Sequence, residues 1–144
     1  MVFFKYLYII FFSFLLSISF PILTFSSKSK DLEKRIVSLN SLGADIVSQL
    51  DNKSLIGIPG STLLKKEDKF ADKIIISEGR MPPSLEKIIK LKPTLVIGSA
   101  GFHDRILEKL DEFNIETLKT NTKSIDQLEI LIKDLAIYLN KNPK

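Results

Sequence analysis

The feature that most constrains this chain is a pair of continuous apolar runs, Ile74 to Ile76 and Leu95 to Ile97, separated by a short stretch of helical periodicity. A strand with one wet face alternates apolar and polar residues. A strand covered on both faces reads instead as an unbroken branched apolar run. Two such runs with a helix between them predict a strand–helix–strand unit, which joins parallel strands. The rest of the chain repeats the alternation. "RIVSLN" (35–40) is a β-branched run ending in Asn40-Ser41, either of which can cap a helix. Leu42, Ile46, Val47 and Leu50 then predict a helix over 42–50, ended by "DNKS". Leu55 to Ile58 predicts a second strand, stopped by Pro59-Gly60. Residues 61–73 have no clear period and read as loop with at most a turn of helix.

Pro82-Pro83 suit the first turn of a helix, where a missing N–H costs nothing, and Leu85, Ile88 and Ile89 give that helix a buried stripe. Lys92-Pro93 closes it. Asp104 can cap the next helix, whose inward positions are Ile106, Leu107, Leu110 and Phe113. Ile115 to Leu118 is a weaker fifth strand. Ser124 and Gln127 stand as a capping box ahead of Ile125, Leu128, Leu131, Ile132, Leu135 and Leu139, a helix reaching about Asn140. The expected fold is α/β: a parallel sheet of four to five strands with helices on both faces. Ligands of such sheets bind outside the carboxyl ends of the strands. That rule selects three loops: Asn40-Ser41, Ser77 to Met81, and Ser99 to His103.

The first 25 residues differ from the rest. They hold one charge, Lys5, and then an uncharged apolar run from Tyr6 to Phe25. A charged start before an apolar core is the pattern of a secretory signal, and Ser17, Ser19, Ser26 and Ser27 supply small residues for cleavage. The same run is long enough for an uncleaved anchor, since a helix of that length spans roughly the 30 Å of a bilayer core. Either way the remainder is expected outside the cytoplasm. Residues 26–34 read as a polar linker, and residues 35–144 as one domain. With no cysteine in the chain, packing rather than disulfides must stabilise it.

The net charge is +4, but 21 basic and 17 acidic residues are interspersed, with no basic stripe interleaved with aromatics. Nucleic acid is not an expected partner. Phosphate-loop, dinucleotide, nucleophile-elbow and zinc-protease motifs are all missing. One histidine and no cysteine supply a metal site or a triad poorly, so no catalytic and no metal-ligating residues are expected. The candidate site residues come from the three loops. Arg80 offers a planar, permanently charged fork for a carboxylate, a hydroxamate or catecholate oxygen, or a haem propionate. The commonest fate of a loop arginine is simple solvation. Phe102 follows Gly98-Ser99-Ala100-Gly101, and its ring either walls a planar ligand or folds onto its own helix. His103 either meets a ligand or is solvated beside a helix cap. Asn40, Ser41 and Met81 complete the candidate ligand contacts. Glu86 sits in a first helical turn, where the helix dipole favours a carboxylate.

"PSLEKIIKLKPTLVIGSAG" (83–101) resembles the hallmark of substrate-binding proteins of iron-siderophore, haem and cobalamin ABC transporters. That family commonly shows Pro-Asn-Leu-Glu, an apolar helix, then Leu-Lys-Pro-Asp-Leu-Val-Ile. Ser84 and Thr94 stand where Asn and Asp are common. "RIVSLNSLGADIVSQL" (35–50) resembles the family's opening strand and helix, with Ala44-Asp45 in place of Thr-Glu. The resemblance covers about residues 34–140. It implies a Rossmann-like lobe, the amino-terminal one of two, with the ligand held between lobes and delivered to a membrane permease. It implies permease docking through Glu86. It also implies ligand contact through Arg80, although the family's Gly-x-Arg is shortened here to Gly79-Arg80, and through Phe102, which matches an aromatic of hydroxamate binders. The function so implied is a non-enzymatic, periplasmic solute-binding component for a metal chelate, most naturally a ferric siderophore, with haem and cobalamin as the other classes. No cofactor is implied. The chain ends near where a long connecting helix would begin, so a second lobe is expected to be absent or separately made. The alternative is a membrane-anchored interaction lobe that docks on a permease without binding ligand.

Overall fold

The computed structural model describes residues 33–78 and 81–142. The expected signal or anchor, most of the linker, and Arg80 lie outside the described residues. Five strands form one wholly parallel sheet: β1 (Ile36–Ser38), β2 (Leu55–Gly60), β3 (Ile74–Glu78), β4 (Leu95–Ser99) and β5 (Thr117–Thr120). Their order is β3-β2-β1-β4-β5. Four helices connect and cover them: α1 (Ser41–Asp51), α2 (Leu85–Lys90), α3 (Asp104–Glu112) and α4 (Ile125–Tyr138). Two short 3-10 turns, Leu64–Lys66 and Asp68–Phe70, lie between β2 and β3.

The apolar runs are explained by what covers them. Along β1, Ile36 packs on the side of α1 and α4 with Val47, Leu131 and Leu135, whereas Val37 packs on the side of α2 and α3 with Ile88 and Leu107. β4 does the same: Leu95 and Ile97 face the first core, Val96 the second. Both faces being buried, consecutive positions of these strands, 36–37 and 95–97, carry apolar residues. β2 carries a bulge. Its register shifts so that Ile36 pairs with Leu55 but Val37 with Gly57. The extra residue puts both Leu55 and Ile58 in the first core, although they are three positions apart.

Most expected elements form, with displaced ends. β2 runs through Pro59-Gly60 rather than stopping there, pairing Pro59 with Ser77 on β3. The region 61–73 forms the two 3-10 turns, which bury Leu64 and Phe70. Pro82-Pro83 do not open α2. Ser84 is the cap, its hydroxyl accepting from the Lys87 N–H at 3.3 Å, so both prolines precede the helix. Asp104 is the first residue of α3 and not its cap, because its Oδ2 accepts from the Gly101 N–H at 3.0 Å. Phe113 falls at the end of α3 and is exposed, since the chain turns away through Asn114 with φ 57°. β5 begins two residues later than expected, because its pairing to Val96 starts at Thr117. In α4, Ser124 caps as expected by accepting from the Gln127 N–H at 3.3 Å. Gln127 Oε1 accepts from the Lys123 N–H at 2.6 Å, one residue beyond the cap N–H of the box pattern. Ile125 is outside the core, 76% exposed.

The amino ends of the strands are clasped by Arg35. Its Nη2 donates to the Leu91 carbonyl at 2.7 Å, and its Nε reaches the Leu91 and Lys92 carbonyls at 3.2 and 3.3 Å. Those carbonyls are free because α2 ends there, with Lys92 in the left-handed region at φ 48° and Pro93 following. Thr94 Oγ1 accepts from the Arg35 N–H at 3.0 Å and from the Tyr138 hydroxyl at 2.9 Å. Lys34 Nζ sits 4.1 Å above the Tyr138 ring. The quoted motifs "RIVSLN" and "LKPT" therefore meet in one hydrogen-bonded structure.

Candidate functional site

The carboxyl ends of the strands carry the candidate site. β1 is flanked by β2 on one side and β4 on the other, so the loops after β1 and β4 part there and leave a crevice. Asn40 fixes its base. Its Oδ1 accepts from the Gly43 N–H at 2.7 Å and so caps α1. Its Nδ2 donates to Ser99 Oγ at 3.2 Å and to Thr120 Oγ1 at 3.1 Å. Thr120 in turn donates to the Gly98 carbonyl at 3.2 Å. One amide thus ties the ends of β1, β4 and β5 together. Both its protons have protein partners, so Asn40 shapes the crevice by holding its loops.

The loop after β4 is locked by His103. The Ser99 N–H donates to His103 Nδ1 at 2.9 Å, and the His103 N–H donates to the Ser99 carbonyl at 2.9 Å. Gly98 permits this approach: a Cβ there would stand 3.0 Å from the His103 Cβ and 2.9 Å from a Leu107 methyl. His103 is buried. Burial holds its imidazole below the ordinary value, and the adjacent Asp104 carboxylate offsets this only in part. A neutral ring accepting at Nδ1 carries its proton at Nε2.

Phe102 stands over this loop, 84% exposed, its ring edge-on to His103 at 4.8 Å between centroids. Met81 is 70% exposed. Two hollows meet at these side chains. The first, about 360 Å³, is the crevice itself, lined by Asn40, Ser41, Gly60, Ser77, Ser99 and Phe102 among others. The second, about 430 Å³, is a groove lined by the loop before α2 and by α3. Both volumes are in the range of small-molecule sites. Of the expected ligand residues, Asn40, Ser41, Met81, Phe102 and His103 come together around the crevice. Glu86 lies elsewhere, on the outer face of α2, paired with Lys90 at 2.6 Å and fully exposed. The hydrogen bond from Lys90 holds its carboxyl below the ordinary value.

Sequence reasoning passed over Ser99 and Thr120 as partners of Asn40, and Arg105 and Lys109 on the groove. The pattern Asp104-Arg105…Glu108-Lys109 was the available signal, because it puts acids and bases on adjoining helical faces. Among the described residues no group of His, Cys, Asp and Glu could hold a metal ion. No helix among them is long and apolar enough to cross a membrane.

A parallel sheet with an open crevice at its switch point, and with Phe102 and Met81 exposed over it, has the form of a binding domain. The comparisons agree. The family model described as periplasmic binding protein matches residues 36–144, and the chain belongs to that family, whose members bind substrates and are not enzymes. Similar solved structures include the periplasmic vitamin B12 binding protein BtuF of Vibrio cholerae, with TM-score 0.63 and 24% identity over 73% of this chain and 41% of that one. The periplasmic haem binding protein HutB of Vibrio cholerae gives 0.62 and 21% over 75% and 42%. An ABC transporter substrate-binding protein from Listeria monocytogenes EGD-e gives 0.62 and 26% over 76% and 41%. The chain therefore spans less than half the length of these relatives. Among curated proteins no match is found.

Proposed function

We propose that the chain is the amino-terminal lobe of a solute-binding component of an ABC importer, taking a metal chelate outside the cytoplasm for delivery to a permease. The observation that carries this reading is the crevice at the carboxyl ends of β1 and β4, where Phe102 and Met81 are exposed above loops that Asn40 and His103 hold fixed. An exposed ring and an exposed thioether over a polar, pre-organised base suit a large, flat-faced ligand. Membership of the binding-protein family supports the same function. Arg80 contributes a charged contact, as the family resemblance implies. Glu86 meets an arginine of the permease by exchanging its Lys90 partner, an exchange that costs little because the pair is solvated. The opposing wall of the cleft comes from a second lobe, continuous with this one in a longer protein or made separately.

The test is isothermal calorimetry with a ferric trihydroxamate, a ferric tricatecholate, haemin and cyanocobalamin. Calorimetry is preferred because the chain has no tryptophan to report binding. Saturable binding of one class, weakened in Arg80→Ala, is the expected result. Binding to none of the four overturns the reading. A ferric siderophore is the first expectation among the classes.

A further inference from the structure

The groove along α3 differs from the crevice in its chemistry, and the difference bears on which ligand is taken. Its lining is largely apolar: Met81, Pro82, Leu85 and Ile106, with Pro83 and Phe102. Its lining holds three polar side chains, His103, Arg105 and Lys109, and no carboxylate. Three acids of α3, Asp104, Glu108 and Asp111, are engaged by β5, Asp111 through the Thr117 hydroxyl, which donates to its Oδ1 at 2.8 Å. Lys119 Nζ lies 3.6 Å from Asp104 Oδ1 and 4.0 Å from Glu108 Oε1. Asp104 also accepts the Gly101 N–H. Arg105 and Lys109 form no ion pair among the described residues. His103 also lines the groove, and the Ser99 N–H at its Nδ1 leaves the ring proton on Nε2. Asp104 and Glu108 thus lie toward Lys119, while Arg105 and Lys109 line the groove. Met81, Pro83, Phe102 and His103 line groove and crevice alike, so the two hollows adjoin.

We propose that this groove is a second ligand subsite, which receives an acidic arm of the bound chelate and selects a net-negative ligand with an apolar or aromatic frame over a neutral or cationic one. The proposal rests on the ligand-binding reading above and narrows it. An all-donor lining pairs with acceptors and leaves none of its own lone pairs facing a negative charge. The apolar side chains beside the ligand lower the local dielectric and so strengthen the pairing. Rejection follows from the same lining: a cationic chelate meets two like charges with no carboxylate to relieve them.

The experiment compares four probes on the full chain and on the double variant Arg105→Gln/Lys109→Gln. Haemin carries two carboxylates, and a ferric tricatecholate carries its negative charge on the metal–oxygen core. A ferrioxamine-type trihydroxamate and cyanocobalamin supply the arms without net negative charge. The expected result is tighter binding of one anionic probe, weakened about five- to tenfold in the double variant, the range that two partly exposed ion pairs supply. Raising the salt concentration should weaken the same probe in the parent and much less in the variant. Both substitutions are on exposed positions, so circular dichroism and thermal melting should be unchanged. Preference for haemin assigns the groove to carboxylates, and preference for the tricatecholate assigns it to the chelate core. Equal binding of anionic and neutral probes, or an anionic affinity indifferent to the double variant, overturns the subsite and leaves the binding function standing. Binding of no probe overturns both.

Discussion

The two edges of the sheet are built from similar polar residues and used differently. At the amino edge, Arg35, Thr94 and Tyr138 satisfy one another and the orphan carbonyls of α2. At the carboxyl edge, Asn40, Ser99, Thr120 and His103 are also linked, yet Phe102 and Met81 are left exposed above them. The amino edge closes the fold. The carboxyl edge is held rigid and left open, which is what a pre-organised site requires. Substitutions at the first edge should therefore cost stability and spare ligand binding, and those at the second should lean the other way.

Four experiments sharpen or break this contrast. The largest effect on stability is expected from Arg35→Ala, which removes three charge-assisted contacts to the carbonyls of Leu91 and Lys92. Urea unfolding should show a loss of about 2–3 kcal/mol, with ligand affinity unchanged. Asn40→Ala comes next, at about 1–2 kcal/mol, because the cap of α1 goes together with the ties to β4 and β5. Here affinity should fall as well, since the loops lose their anchor; an intact affinity would deny Asn40 its positioning role. A smaller, pH-dependent effect belongs to His103. Its folded value is lowered below the 6.5 of an unperturbed histidine, so the unfolded chain takes up the proton first as pH falls. Stability should decline as pH drops through 6.5 toward the lower folded value and then level off. Denaturation midpoints across this window, compared with His103→Gln, should show the step only in the parent. The smallest stability effect is expected from Phe102→Ala, within about 0.5 kcal/mol because the ring is solvated. Loss of calorimetric affinity without loss of stability would be the signature of an open edge, and the reverse would mean that Phe102 is a packing residue.

The sequence made the layered fold legible because burial on both faces leaves an unmistakable mark on β1 and β4. Ser124 was legible as a cap, and the cap of α1 as either Asn40 or Ser41, because capping chemistry is local. The ends of elements were less so. Pro82-Pro83 are compatible with a first helical turn, but Ser84 offers a better cap, and that competition is settled by packing. The position of β5 depends on its register with β4, which residues 115–118 do not encode by themselves. The crevice loops could be read from the rule about strand ends. The use of Asn40 could not, because Ser99 and Thr120 are distant in sequence and only the sheet order brings them to it. Arg105 and Lys109 were hidden for a related reason: which side of α3 is basic matters only once Lys119 on β5 has taken the acids.

The Arg35 clasp has a mechanical consequence. It grips the chain at the point where β1 begins, and β1 is hydrogen-bonded on both sides, to β2 and β4, with every strand pointing the same way. A pull on the segment ahead of Arg35 is therefore borne at the Leu91 carbonyl and the Thr94 hydroxyl, and beyond them by two ladders loaded in shear. Bonds in shear share the load rather than opening one at a time. The loops that carry Phe102 and His103 lie at the far end of those ladders, so tension on the leading segment would be spent before it reached the ligand.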